Sequence, residues 1–86
     1  MHRASGYDPV LSSKASSILV GLPKPKQKKI LSLLFQIAER PSQLGDYVTK
    51  EENGREIQHL MVGDWHFSFW ADDAVRELRI TDFTEL

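Results

Sequence analysis

An α+β fold, with a pair of helices packed on an antiparallel sheet, follows from three observations. Apolar residues recur every three to four positions from Leu11 to Ala38. They alternate with polar residues through much of the span from Tyr47 to Ile80. The second span is also punctuated by Asn53-Gly54, Gly63-Asp64 and Asp72-Asp73, which read as hairpin turns. At 86 residues the chain is expected to form one domain, residues 1–86. Hydrophobic residues at 41% and charged residues at 27% are ordinary globular proportions, which excludes a disordered chain.

The elements can be justified in order. Asp8 suits an N-cap and Pro9 the first helical position, where a missing N–H costs nothing. Leu11, Ala15, Ile18, Leu19 and Leu22 then form the stripe of a first helix that Gly21 is placed to end. A short strand is expected before Asp8. Pro23 and Pro25 suit the start of a second helix, which runs to about Arg40 before Pro41. Its stripe is Ile30, Leu33, Leu34, Ile37 and Ala38, widened by Leu31 and Phe35. The two helices are expected as an N-terminal hairpin. A four-stranded antiparallel meander follows, with strands at about 45–52, 55–62, 65–71 and 74–82.

Two-residue turns fix the register. They set Leu60 opposite Phe67 and Tyr47, His59 opposite Ser68 and Val48, Phe67 opposite Leu78, and Ser68 opposite Glu77. Alternation then assigns Tyr47, Leu60, Val62, Trp65, Phe67, Phe69, Leu78 and Ile80 to a core face. The other face receives Lys50, Ile57, His59, Met61, His66, Ser68, Trp70, Val75, Glu77 and Arg79. On it His66 faces Arg79, and His59 lies diagonal to His66. Imidazoles with an ordinary pKa near 6.5 could move a proton there while Arg79 holds a phosphate. His66, Arg79 and His59 are therefore the candidate catalytic residues, and Arg55, Lys50, Glu77 and Trp70 the candidate binding residues. Trp70 could stack a base or seat a partner's apolar side chain.

Exclusions narrow the classes. Without cysteine there is no disulfide scaffold, thiolate zinc site or cysteine nucleophile. His59, His66 and Glu77 gain no further ligand, so neither a metal nor another cofactor is expected. No apolar run reaches the roughly 18 residues of a membrane span, and no signal-like apolar region follows Met1, so no membrane partner and a cytoplasmic location are expected. Residues 1–43 carry seven Lys/Arg against two Asp/Glu, whereas residues 44–86 carry four against ten. An anionic polymer would be drawn to the first half and repelled by much of the second. A core this small leaves room for help from a homodimer or another chain.

The ordered set Leu22-Pro23 before a basic helix, Ala38-Glu39-Arg40-Pro41, Gly54-Arg55-Glu56-Ile57, Met61-Val62-Gly63-Asp64-Trp65-His66, Phe69-Trp70-Ala71-Asp72 and Val75-Arg76-Glu77-Leu78-Arg79-Ile80 resembles the RelE/ParE superfamily of bacterial toxins. The resemblance spans nearly the whole chain. It implies the toxin component of a type II toxin–antitoxin system with a cognate antitoxin protein as partner. RelE-like members cut mRNA on the ribosome, and ParE-like members inhibit gyrase. By position, His59, Met61 and His66 fall where such toxins often carry Arg or Lys. Where active ribonucleases of this type often place a basic stretch and a His- or Tyr-bearing tail, Thr81-Asp82-Phe83-Thr84-Glu85-Leu86 carries two acids and no base. A non-catalytic binding or inhibitor protein on the same fold is therefore the alternative.

Overall fold

The computed structural model describes residues 6–86. The order is β1 (Asp8–Leu11), α1 (Ser13–Val20), α2 (Lys24–Ala38), β2 (Tyr47–Lys50), β3 (Glu56–Val62), β4 (Trp65–Asp72) and β5 (Glu77–Glu85). The strands form one sheet in the order β1-β5-β4-β3-β2. Strand β1 runs parallel to β5, and the remaining pairs are antiparallel. The α+β class stands, but the sheet is mixed and five-stranded rather than a four-stranded meander.

The extra strand is where a helix start was expected. Asp8 and Pro9 do not cap α1; they pair with Glu77 and Leu78 of β5. Pro9 is tolerated because β1 is an edge strand, where a missing N–H need not break a ladder. The cap is Ser12, whose Oγ accepts from Ala15 N–H at 3.0 Å while its hydroxyl donates to the Thr81 carbonyl at 2.8 Å. The strand expected before Asp8 falls largely on residues 1–5, which lie outside the described residues; Gly6 and Tyr7 are not in a strand, and β1 begins at Asp8 itself. The helices do not open the chain as a hairpin: β1 precedes them, α1 lies against β5, and α2 approaches β1.

One face of the sheet and the inner sides of the helices bury a common core. Ala15, Ile30, Leu34, Ile37 and Ala38 meet Trp65, Phe67, Phe69, Leu78, Ile80 and Phe83 there. Leu60 and Val62 pack against its margin. Tyr47, expected in this core, is exposed on the opposite side. Its displacement begins at the Asn53-Gly54 turn. Glu51 N–H donates to the Arg55 carbonyl and Gly54 N–H to the Glu51 carbonyl, each at 2.9 Å, leaving three residues in the loop. Gly54 takes φ +85°, as the last residue of such a loop requires. The one-residue shift pairs Tyr47 with His59 and Lys50 with Glu56. Every β2 side chain changes face.

The last turn departs further. Residues 73–76 form it, with Arg76 in the left-handed region at φ +55°. Asp72 therefore pairs with Glu77, Ala71 with Leu78 and Trp70 with Arg79. The shift is even, so Leu78 and Ile80 stay in the core. A bulge then inserts Thr81, beyond which Ser68 pairs with Asp82, Phe67 with Phe83 and His66 with Thr84. Val75 belongs to the turn and is exposed.

Candidate functional site

The outer face of the sheet gathers two separate clusters. Strands β3 and β4, joined at Gly63-Asp64, keep the register expected from a two-residue turn: His59 faces Ser68 and Met61 faces His66. Gly63, at φ +58°, supplies the conformation that turn needs. The diagonal brings His59 Nδ1 to 3.0 Å from His66 Nε2. Ser68 Oγ lies 3.2 Å from His59 Nδ1, and Thr49 Oγ1 lies 2.8 Å from His59 Nε2. The slipped β2 lays the Tyr47 ring flat on His59, with centroids 4.3 Å apart and planes 3° from parallel. Its hydroxyl is 3.4 Å from His66 Nε2.

Close backbone approach holds this end of the sheet. Asp46 N–H donates to the His59 carbonyl at 2.6 Å, and Asp46 Oδ2 accepts from Met61 N–H at 2.7 Å. A Cβ on Gly45 would run into the backbone carbonyl and amide of His59, so only glycine lets the chain pass here. Gly45 N–H donates to Gln58 Oε1 at 2.7 Å, which fixes the crossing.

The two imidazoles act as a unit. One proton fits between nitrogens 3.0 Å apart, and doubly protonated rings would direct two N–H groups at one another. Burial, then the neighbouring His66 charge, lower the pKa of His59 below 6.5. With His59 Nδ1 as the acceptor of the shared proton, its other ring nitrogen carries a hydrogen. His59 Nε2–H then faces Thr49 Oγ1. Such a pair can take a proton at one ring and release one at the other.

Arg79 is not part of it. Along β4, Trp70 stands four residues from His66, about 13 Å at ordinary strand rise, and Arg79 is opposite Trp70 rather than His66. Its Nη2 donates to Glu77 Oε1 at 2.8 Å. Its Nε is buried 3.4 Å from Asp72 Oδ2, near enough for an ion pair but not aligned for a hydrogen bond. The Arg55 guanidinium lies 3.8 Å from the Trp70 ring centre, and that of Arg79 lies 5.9 Å from it. Glu51 pairs with Arg55 at 3.4 Å. Arg55, Trp70, Glu77 and Arg79 thus form a second cluster in which both guanidiniums have carboxylate partners.

The remaining expectations divide. Lys50 is on the opposite face from His59, because its pairing partner is Glu56. Ile57 is on the outer face but buried, away from the main core cluster. Sequence reasoning missed Tyr47 and Thr49, which only the three-residue loop delivers. The signal was Gly54 itself, since a glycine closing a three-residue loop after a type I turn is the next most common hairpin connection after the two-residue turn.

No family model and no curated protein sequence matches the chain. Solved structures do. The chain is similar to one in the RelBE2 toxin–antitoxin complex from Mycobacterium tuberculosis, at TM-score 0.78 and 15% identity, covering 100% of this chain and 98% of that one. A chain of the archaeal RelE–RelB complex from Pyrococcus horikoshii OT3 gives TM-score 0.67 at 12% identity, covering 93% and 94% respectively. One from the intact E. coli RelBE toxin–antitoxin complex gives 0.59 at 11% identity, covering 93% and 96%. The fold is RelE-like. Among the described residues no helix is long and apolar enough to cross a membrane.

Proposed function

We propose that the protein is the toxin component of a type II toxin–antitoxin pair, RelE-like, which cuts mRNA during translation through His59 and His66. An antitoxin protein is its partner in this reading. The observation that carries it is the hydrogen-bonded histidine pair on the outer face of a RelE-like sheet. In the reaction neutral His59 takes the proton of a ribose 2′-hydroxyl, whose oxygen attacks the adjacent phosphorus. Protonated His66 gives its proton to the departing 5′-oxygen, leaving a 2′,3′-cyclic phosphate and a 5′-hydroxyl. The rings separate to admit the phosphate, with the Tyr47 hydroxyl beside it.

A second reading has one observation in its favour. Arg79 is paired with Glu77 and Asp72, and among the described residues no guanidinium or ammonium group bonds either histidine. Phosphate charge has less to meet it than a nuclease would use. A non-catalytic binding protein on the same fold, inhibiting gyrase or another target, fits that arrangement.

Controlled induction in bacteria separates them, comparing wild type with a His59→Ala/His66→Ala double variant. Growth arrest with new mRNA 5′ ends, both abolished by the double variant, is the expected result. Arrest with intact mRNA would favour the second reading. Normal growth with soluble, folded wild type would overturn the toxin assignment.

A further inference from the structure

The tip of the β2–β3 hairpin carries a reaction of its own. Asn53 is the chain's single asparagine, and Gly54 follows it. Both are exposed, and beyond the chain neighbours no atom lies within 4 Å of where a Cβ would stand on Gly54. The Gly54 nitrogen is open to solvent and lacks the side chain that would shield it. Asn53 Oδ1 accepts from Arg55 N–H at 2.9 Å. That donor polarises the side-chain amide and stands where negative charge collects when a nucleophile adds to Cγ. We propose that Asn53 deamidates spontaneously through the Gly54 nitrogen, and that the isoaspartyl product frees β2 from the histidine pair.

Hydroxide removes the Gly54 amide proton, and the nitrogen attacks Asn53 Cγ. A bond forms between them, the Cγ–Nδ2 bond breaks, and the side-chain nitrogen leaves as ammonia with protons from water. Residues 53 and 54 then share a five-membered imide ring, which water opens at either carbonyl. Opening at Cγ leaves an aspartate. Opening at the backbone carbonyl leaves an isoaspartate, with the chain running through Cγ. Neither route needs an oxidant or a reductant. The attack gives up the bond from Gly54 N–H to the Glu51 carbonyl at 2.9 Å, which water replaces at little cost on an exposed hairpin tip.

The two products differ in their backbones. Aspartate keeps an oxygen for Arg55 N–H and leaves the loop its three residues. Isoaspartate adds a carbon to the backbone path and makes the former side-chain carbonyl part of the main chain, so the bond to Arg55 is lost. The bonds that close the loop, Glu51 N–H to the Arg55 carbonyl and Gly54 N–H to the Glu51 carbonyl, are fitted to the shorter path. That path sets Tyr47 and Thr49 against His59, and lengthening it releases both. The reaction needs neither RNA nor an antitoxin, so it stands apart from the proposed function.

The test ages the full chain at mildly acidic and mildly alkaline pH. It follows intact mass, released ammonia and fragment ions that distinguish isoaspartate from aspartate. The expected result is a single deamidation per chain, mapped to Asn53 and faster in step with hydroxide concentration. Gly54→Ala should slow it about tenfold by shielding the nitrogen. Asn53→Gln, which would need a six-membered ring, should stop it. The two products are then separated and their histidine ring protons compared by NMR. In the isoaspartyl form His59 should lose the upfield shift that the stacked Tyr47 ring imposes, and in Asn53→Asp it should keep it. An unchanged mass while a peptide of residues 50–57 converts, an equal rate in Gly54→Ala, or unmoved His59 signals in the isoaspartyl form would each overturn the proposal. Mass and site are read on wild type alone, so a misfolded variant does not blunt them.

Discussion

His59 shows how much one side chain owes to its neighbours. It lies under Tyr47 and beside Thr49, Ser68 and His66, and burial, then the neighbouring His66 charge, lower its pKa below the ordinary imidazole value. Its folded-state pKa is depressed, so between that value and 6.5 the unfolded chain binds a proton that the folded one does not. The contribution to stability is therefore complete above the ordinary value of 6.5 and is lost as pH falls through the folded pKa. Urea midpoints should decline as pH drops below about 6.5, and His59→Gln should flatten that part of the profile. An equally steep decline in the variant would count against the assignment. The histidine residue types were plain in the sequence, as was their diagonal. Tyr47 and Thr49 were hidden, because a single added loop residue decides whether they face the histidines or turn away.

At the scale of elements, α1 depends on Ser12 more than on its own length. Eight residues make a marginal helix in isolation. Ser12 ties it down twice, capping Ala15 N–H and donating to Thr81 at the β5 bulge. Ser12→Ala should cost about 1–2 kcal/mol by chemical denaturation. Ser12→Asp should recover part of this, since it restores the cap but not the donor. The bulge matters in its own right, because inserting Thr81 turns Phe83 inward while leaving Ile80 in the core. No turn residue announces it.

For the whole molecule, the asymmetry of charge is partly complementary. Lys14 pairs with Asp82 at 3.0 Å and Lys26 with Glu85 at 2.8 Å, joining the basic helices to the acidic last strand. Exposed pairs of this kind contribute little to stability. The core does more. Phe83 is 1% exposed and lies 6.0 Å, centroid to centroid, from both Trp65 and Phe67. Phe83→Ala should destabilise by about 3–5 kcal/mol in equilibrium unfolding, a large share of the roughly 5–15 kcal/mol of a typical domain. A loss below 1 kcal/mol would mean that the final strand is not anchored as described.

Local patterning was enough for the two apolar helix stripes, the β3–β4 hairpin and the inward set Trp65, Phe67 and Phe69. Each depends on residues within a turn or two of one another, where periodicity and the Gly63-Asp64 turn leave little choice. From that hairpin alone came the meeting of His59 with His66. The rest was settled by contacts between distant segments. Asp8–Leu11 is a strand only because β5, nearly seventy residues on, presents an edge to it. Arg79 lies beside Trp70 rather than His66 because a four-residue turn, with Arg76 at positive φ, closed before β5 began. Backbone hydrogen bonds far apart in sequence chose those registers. In a strand, where one step turns a side chain to the other face, register decides which residues share a site.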